Sequence, residues 1–242
     1  MTLETDRKLI AILRWYEAFG VNVLFFDTSN VASKVKPMFS IPHCVAKHDV
    51  IRSQYPDNLQ NNFTRDNLSN LYKEIYQLDC PIKRTARNTV ISDGNPQSKI
   101  MLIGEAPGQD EDIQGKPFVG QSGTLLNNML KAVNINRSDV FISNIVFWRP
   151  PGNRTPSPEE ISLCLPYAKR LIKLISPRVI MLLGSVAVHA LLETSLPISK
   201  IRGRLVEVLG IKTIPTYHPA YLLRSSIQKK LAFNDFLLLA KC

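Results

Sequence analysis

The chain has 242 residues, 30 Lys+Arg against 20 Asp+Glu, a net charge of +10, and 45% hydrophobic residues. That apolar content is enough for a real core and excludes a disordered or low-complexity chain, and no run of about 18 apolar residues offers a membrane span. The basic excess favours polyanions. Nucleic acid leads among them, because no basic amphipathic helix of the membrane-surface type stands out.

Four cysteines, Cys44, Cys80, Cys164 and Cys242, are too few and too scattered for a disulfide framework. The opening MTLETDRKLI carries acids before its first apolar stretch and lacks a small-residue cleavage site, so no signal peptide is expected. The expectation is a cytoplasmic protein.

In chain order, DRKLIAILRWYEAF (6–19) puts Leu9, Ile12, Leu13, Tyr16 and Phe19 near helical spacing, with Gly20 at the C′ position. Residues 28–66 are rich in Ser, Asn, Pro and Asp and read as a linker or arm. A second helix is predicted over 64–78, with Leu68, Leu71, Tyr72 and Ile75 on one face. Beyond Cys80 the texture changes. Short apolar runs at 99–104, 140–147, 178–184 and 213–218 alternate with helical patterns at 120–133, 158–176, 185–193 and about 226–240. Such runs are what a parallel sheet covered on both faces requires. The predicted fold class is α/β: a three-layer α/β/α domain over 65–242 with a central, mostly parallel sheet, plus an N-terminal helical extension and linker over 1–64.

The densest chemical signal is GEAPGQDEDIQGKPFVGQSGTLLNNML, beginning at Gly104. It follows a predicted strand and runs into a helix, the place where open α/β sheets bind ligands. Its glycines fit neither the P-loop nor the dinucleotide fingerprint, which leaves a generic anion-binding turn or a catalytic loop. Glu105 directly follows the strand, where a carboxylate points into the crevice. Phe118, between Pro117 and Val119, is either a small local core or a stacking plate for a planar ligand. Asn144 interrupts the apolar strand FISNIVF, and a buried amide must find partners, whether in the core or on a ligand offering both donor and acceptor. YHPAYLLR (217–224) places His218 at a strand's carboxyl end with Arg224 close by. His189 sits within apolar helical text and reads as structural, while His43 and His48 lie in the arm. In RPPGNRTPSPEE, Ser157 is the expected N-cap and Pro158 the N1 residue of a helix. Arg149 and Arg154 there bracket either a phosphate-contacting loop or an exposed structural one.

Taken together and in this order over roughly 80–240, GEAPGQDED, GKPFVG, SNIVFWRPPGNRTPSPEE and HPAYLLR resemble the family-four uracil-DNA glycosylases of the uracil-DNA glycosylase superfamily. The resemblance implies hydrolysis of the glycosidic bond of uracil in single- or double-stranded DNA by a monomer that flips the base from the stack. It implies that Glu105, between Gly104 and Ala106 of the substrate-binding loop, positions the hydrolytic water and offsets positive charge on the sugar. Phe118 would stack on uracil, Asn144 would read its amide edge, and His218 would donate toward the leaving base. Leu222 would fill the gap in the stack, while Ser185 and Arg224 would contact phosphate. The competing reading is a non-catalytic DNA-binding or scaffold module on the same fold. In the extension, Leu9, Trp15 and Phe19 could dock on the core or on a repair or replication protein.

The resemblance also implies a four-iron four-sulfur cluster on four cysteines, and here the chain departs from the pattern. The four positions hold Gln77, Cys80, Trp148 and Cys164. Thiolates are the expected holders of such clusters, so the expectation is no cofactor, with an incompletely ligated cluster as the alternative. Trp148 would then fill the vacated volume with apolar area, and Cys80 and Cys164 would be plain buried thiols.

Overall fold

The computed structural model describes residues 64–242. The helix expected over 6–19, almost all of the 28–66 arm, His43, Cys44 and His48 lie outside the described residues.

The first described helix, α1 (Arg65–Gln77), starts where Thr64 caps it: the Asn67 N–H donates to Thr64 Oγ1 at 3.1 Å. Its buried stripe is Leu68, Leu71 and Ile75, the helical spacing read from the sequence, with Tyr72 half-buried beside it. The chain then lays down β1 (Ser92–Gly94), β2 (Ile100–Gly104), α2 (Gln109–Gln114), α3 (Gln121–Ala132), β3 (Val140–Asn144) and α4 (Pro158–Ile175). After these come β4 (Val179–Leu183), α5 (Ser185–Leu192), α6 (Ile198–Ile201), β5 (Val206–Val208), β6 (Ile211–Thr216), α7 (Pro219–Arg224) and α8 (Lys229–Leu239).

Among the described residues the strands form one six-stranded sheet, ordered β1-β3-β2-β4-β6-β5. The four central strands are parallel, and the short edges β1 and β5 pair antiparallel to β3 and β6. Because side chains alternate along a strand, successive residues feed two cores. Met101, Ile103, Phe141, Ile180 and Leu182 pack with α1, α4 and α5 on one face. Leu102, Val140, Ile142, Met181 and Ile214 pack with α3, α7 and α8 on the other. Three layers result, as the unbroken apolar strands require.

The strands are shorter than the apolar runs. The 140–147 run leaves the sheet after Asn144, and the last strand ends at Thr216 rather than reaching residue 218. At both places the chain turns off the carboxyl edge of the sheet, where parallel strands deliver their side chains to a common crevice. Helix α4 begins as read: Ser157 accepts from the Glu160 N–H, the Glu160 carboxylate returns to the Ser157 N–H, and Pro158 occupies N1.

Candidate active site

At the carboxyl end of β2 the chain runs Gly104-Glu105-Ala106-Pro107, and the crevice above it is a cavity of about 1020 Å³. The neighbouring strand fixes this segment beyond the sheet proper, since the N–H groups of Ile145 and Val146 donate to the carbonyls of Gly104 and Glu105, each at 3.0 Å. Glu105 and Ala106 are half-buried on the cavity wall. Burial lifts the Glu105 carboxyl above its ordinary value.

Asn144, the last residue of β3, is 1% exposed, and its Oδ1 has no hydrogen-bond partner in the protein. An unpaired buried acceptor costs on the order of 1–3 kcal/mol, so the fold tolerates a penalty that a ligand N–H would remove. Phe118 faces it across a very small gap. A β-carbon placed on Gly104 would lie 2.5 Å from Asn144 Oδ1 and 2.6 Å from the tip of the Phe118 ring. Gly104 is therefore required by the convergence of amide and ring, not by its own backbone angles.

Phe118 is held in an unusual backbone state, with φ of +52°, in the left-handed region that costs a non-glycine residue roughly 1–3 kcal/mol when the surroundings impose it. The surroundings here are two charged residues. Arg137 donates to the carbonyl of Pro117 at 2.7 Å and of Phe118 at 2.9 Å, while also bonding Asp93 and Asn127. Glu111, 7% exposed, accepts from the N–H groups of Gly108, Val119 and Gly120. Helix α3 presses on the same turn, where any side chain at Gly123 would collide with the Phe118 carbonyl.

His218 closes the group. Its ring centroid is 5.6 Å from that of Phe118, and it is the N-cap of α7: the Ala220 N–H donates to His218 Nδ1 at 3.2 Å. Since Nδ1 accepts, the proton of the neutral ring sits on Nε2, which is left as a donor for the cavity. Burial pushes this imidazole down to about 4, and Arg224 adds to the effect while Glu111 opposes it. Gly184, at φ +96°, lets β4 pass close beneath, since a β-carbon there would meet that of His218 at 2.9 Å.

Glu105, Phe118, Asn144 and His218, drawn from four separate segments, thus share one cavity with Gly104 and Ala106 beside them. An acid, a ring, an amide and a neutral imidazole around a cavity with room for a nucleotide can grip a planar pyrimidine and polarise the bond that joins it to a sugar.

The comparisons with known proteins agree with this geometry. The pattern of the Uracil DNA glycosylase superfamily matches residues 91–238. The chain belongs to that superfamily. It is 41% identical over 167 residues to a Type-4 uracil-DNA glycosylase of Thermotoga maritima, covering 67% of this chain and 87% of the relative. It is 39% identical over 168 residues to a Type-4 uracil-DNA glycosylase of Archaeoglobus fulgidus, covering 65% of this chain and 84% of that protein. It is also 31% identical over 148 residues to a DNA polymerase of Bacillus phage SP01, covering 61% of this chain but only 16% of the polymerase.

Around the mouth of the glycosylase cavity, Ser185 opens α5, half-buried, and Arg224 ends α7, exposed; both line it. Leu222 does not. It is 0% exposed, packed in the core beneath α7, so this structure does not present it to the duplex as the expected gap-filler. A six-residue helix puts Leu222 on its inward side and Tyr221 and Leu223 on its outward side, at 38% and 45% exposure. Arg154 also lines the cavity, but two of its nitrogens are engaged by Glu160 at 2.8 and 2.6 Å, and Arg149 bonds Asn153 at 2.6 Å, so both serve the turn that starts α4. His189 is exposed rather than in the core, with Nε2 2.9 Å from the Leu196 carbonyl.

Sequence reading missed Glu111 and Arg137, whose targets are main-chain atoms across the loop. It also missed Tyr217, Tyr221 and Gln228, which line the same cavity. The acid-rich QDED after GEAPG and the lone Arg before an apolar strand were the available signals. Gln228 Oε1, like Asn144 Oδ1, is buried without a partner.

The residues at the four cluster positions fit the implied iron-sulfur group poorly. Cys80 and Cys164 are both fully buried, and burial, joined by the neighbouring Cys80, pushes the Cys164 thiol up to about 12, the opposite of a ready thiolate. Gln77 is exposed on the last turn of α1. Trp148 is 1% exposed, its indole N–H donates to Thr89 Oγ1 at 2.9 Å, and it packs edge-on to Phe147 at 6.1 Å. Cys242 packs against the core on the opposite face of the sheet. Two thiols, an indole and an amide do not make a four-thiolate site.

Proposed function

We infer that this protein is a DNA repair glycosylase that hydrolyses the N-glycosidic bond of uracil in DNA, releasing free uracil and leaving an abasic site. The observation that carries the reading is the orphaned Oδ1 of Asn144, buried against Phe118 in a cavity shared with Glu105 and His218. Uracil offers N3–H and O4 side by side, matching the acceptor and donor of one carboxamide. Cytosine, with an unprotonated N3 and an amine at C4, leaves both unmet.

The base leaves the duplex stack before its bond can be reached and lies against the Phe118 ring. As the C1′–N1 bond breaks, its electron pair goes to uracil and positive charge gathers on the sugar. The Nε2–H of His218, neutral at working pH, donates to a uracil carbonyl as negative charge grows there. Glu105 faces the cationic sugar and takes the proton of the water that attacks C1′, a task its raised proton affinity suits. Ser185 and Arg224 at the mouth hold backbone phosphate, and the net charge of +10 draws DNA to the protein.

We further propose that the protein works without an iron-sulfur cluster. The wall at the cluster positions is completed by the Trp148 indole and the two buried thiols of Cys80 and Cys164, and no step above needs the group. The test of activity is direct. A uracil-containing oligonucleotide incubated with the protein and then treated with alkali should be cut at the uracil. Scission no greater than with the doubly substituted E105A/H218A protein would overturn the assignment.

A further inference from the structure

We propose that Tyr221 is the side chain that enters the base stack when uracil is extruded, so that this protein plugs the duplex with an aromatic ring. The inference rests on the glycosylase reading above and deepens it.

Helix α7 has three outward residues, Tyr221, Leu223 and Arg224. Of these, Tyr221 and Arg224 line the cavity and Leu223 does not. Tyr221 stands three residues after His218, the N-cap, and so one helical turn above the imidazole that meets the leaving base. A base that passes His218 on its way in must cross the Tyr221 ring, and the emptied place in the duplex lies against that ring.

The ring is also braced, as a wedge must be. Its centroid is 5.2 Å from that of Tyr217, which is 7% exposed. Behind Tyr217, the Arg202 guanidinium lies 5.8 Å from the ring centroid. Arg202 is in turn fixed by both carboxylate oxygens of Asp235 and by the Leu231 carbonyl, and Thr216 donates to Asp235 at 2.7 Å. A push on Tyr221 is thereby transmitted to the end of β6 and to α8. Extrusion of a nucleotide removes stacking from both its neighbours, and a ring recovers stacking on a scale comparable with that loss. An aliphatic side chain lacks such a face.

A plug matters only where there is a stack to fill, so the readout is the ratio of excision rates on double- and single-stranded uracil DNA of one sequence. In Y221A this ratio should fall about ten- to a hundredfold, the scale of one lost base–aromatic stack, while Y221F and Y221W restore it and L223A leaves it at the wild-type value. Equal losses on the two substrates in Y221A, or a fall of the ratio in L223A instead, would overturn the proposal.

A second measurement does not depend on the alanine variant folding. Duplex carrying a non-cleavable 2′-fluoro-2′-deoxyuridine is titrated into the Y221W protein and into wild type. The extra indole emission should be quenched on binding, as stacking on bases demands, and an unquenched extra signal in the bound complex would defeat the idea. A wild-type protein inactive on both strands would sink the glycosylase reading itself, leaving the quenching to decide the wedge.

Discussion

The carboxyl edge of the sheet and the wall around Trp148 are built from similar material and have opposite characters. Around Trp148 the indole N–H is matched by Thr89, and the two thiols are buried side chains of the core. At the carboxyl edge, two buried acceptors, Asn144 Oδ1 and Gln228 Oε1, have no partner, the Glu105 carboxyl is raised, and the His218 imidazole is lowered. The two regions lie within one small domain, so the difference is local. Where the molecule only has to stand, every group is satisfied. Where it acts, groups are held short of their partners, and stability is given up for a ligand.

The sharpest way to break this contrast is to remove the unsatisfied groups singly. E105Q, H218Q and N144A should each lower uracil excision about 10²–10³-fold, the usual cost of a group acting on developing charge. N144A should also melt at or above the wild-type temperature, because it deletes an unpaired acceptor; a clear fall in melting temperature would show that Asn144 is a structural amide.

The opposite region should respond in the opposite way. W148A should cost about 3–5 kcal/mol of unfolding free energy in denaturant titrations, as buried aromatic truncations do. Excision per folded molecule in the cold should stay near wild type, and a selective loss of activity there would refute the division.

Arg137 stabilises the site through the carbonyls of Pro117 and Phe118 and is not among the residues that line the cavity. R137A frees two carbonyls and the carboxylate of Asp93, and should cost on the order of 1–3 kcal/mol together with a raised KM for uracil DNA.

The last effect is one of pH. The His218 ring binds a proton less readily folded than unfolded, about 4 against 6.5. Between those values the unfolded chain holds more protons, so stability falls as pH drops from 6.5 toward 4. H218Q should flatten that part of the acid unfolding curve, and an unchanged slope would place the titration elsewhere.

Much of this was legible in the residues because parallel strands and helix caps leave local marks. The four apolar runs, the Ser157-Pro158 start of α4 and the stripe of α1 were all read at or near their places, since each depends on neighbours a few positions apart. Edge strands β1 and β5, three residues each, carry too little alternation to announce themselves. Helix α7 hid behind His218-Pro219, and without it Leu222 reads as exposed; one helical turn reverses which of two adjacent residues meets solvent. Glu111 and Arg137 escaped for another reason. Their partners in the loop are backbone atoms up to twenty residues away, and a main-chain target leaves no trace in side-chain identity.

That last feature has a bearing on how such a pocket can change. The loop carrying Phe118 is gripped only by its peptide groups, through Arg137 on one side and Glu111 on the other. The course of the chain there is therefore written largely outside the loop, while the ring of residue 118 is itself packed in the core beside Gly104 and His218. A laboratory or a lineage seeking to admit a different damaged base at position 118 would therefore have to keep a side chain that tolerates the left-handed backbone there and leave Gly104 opposite without one.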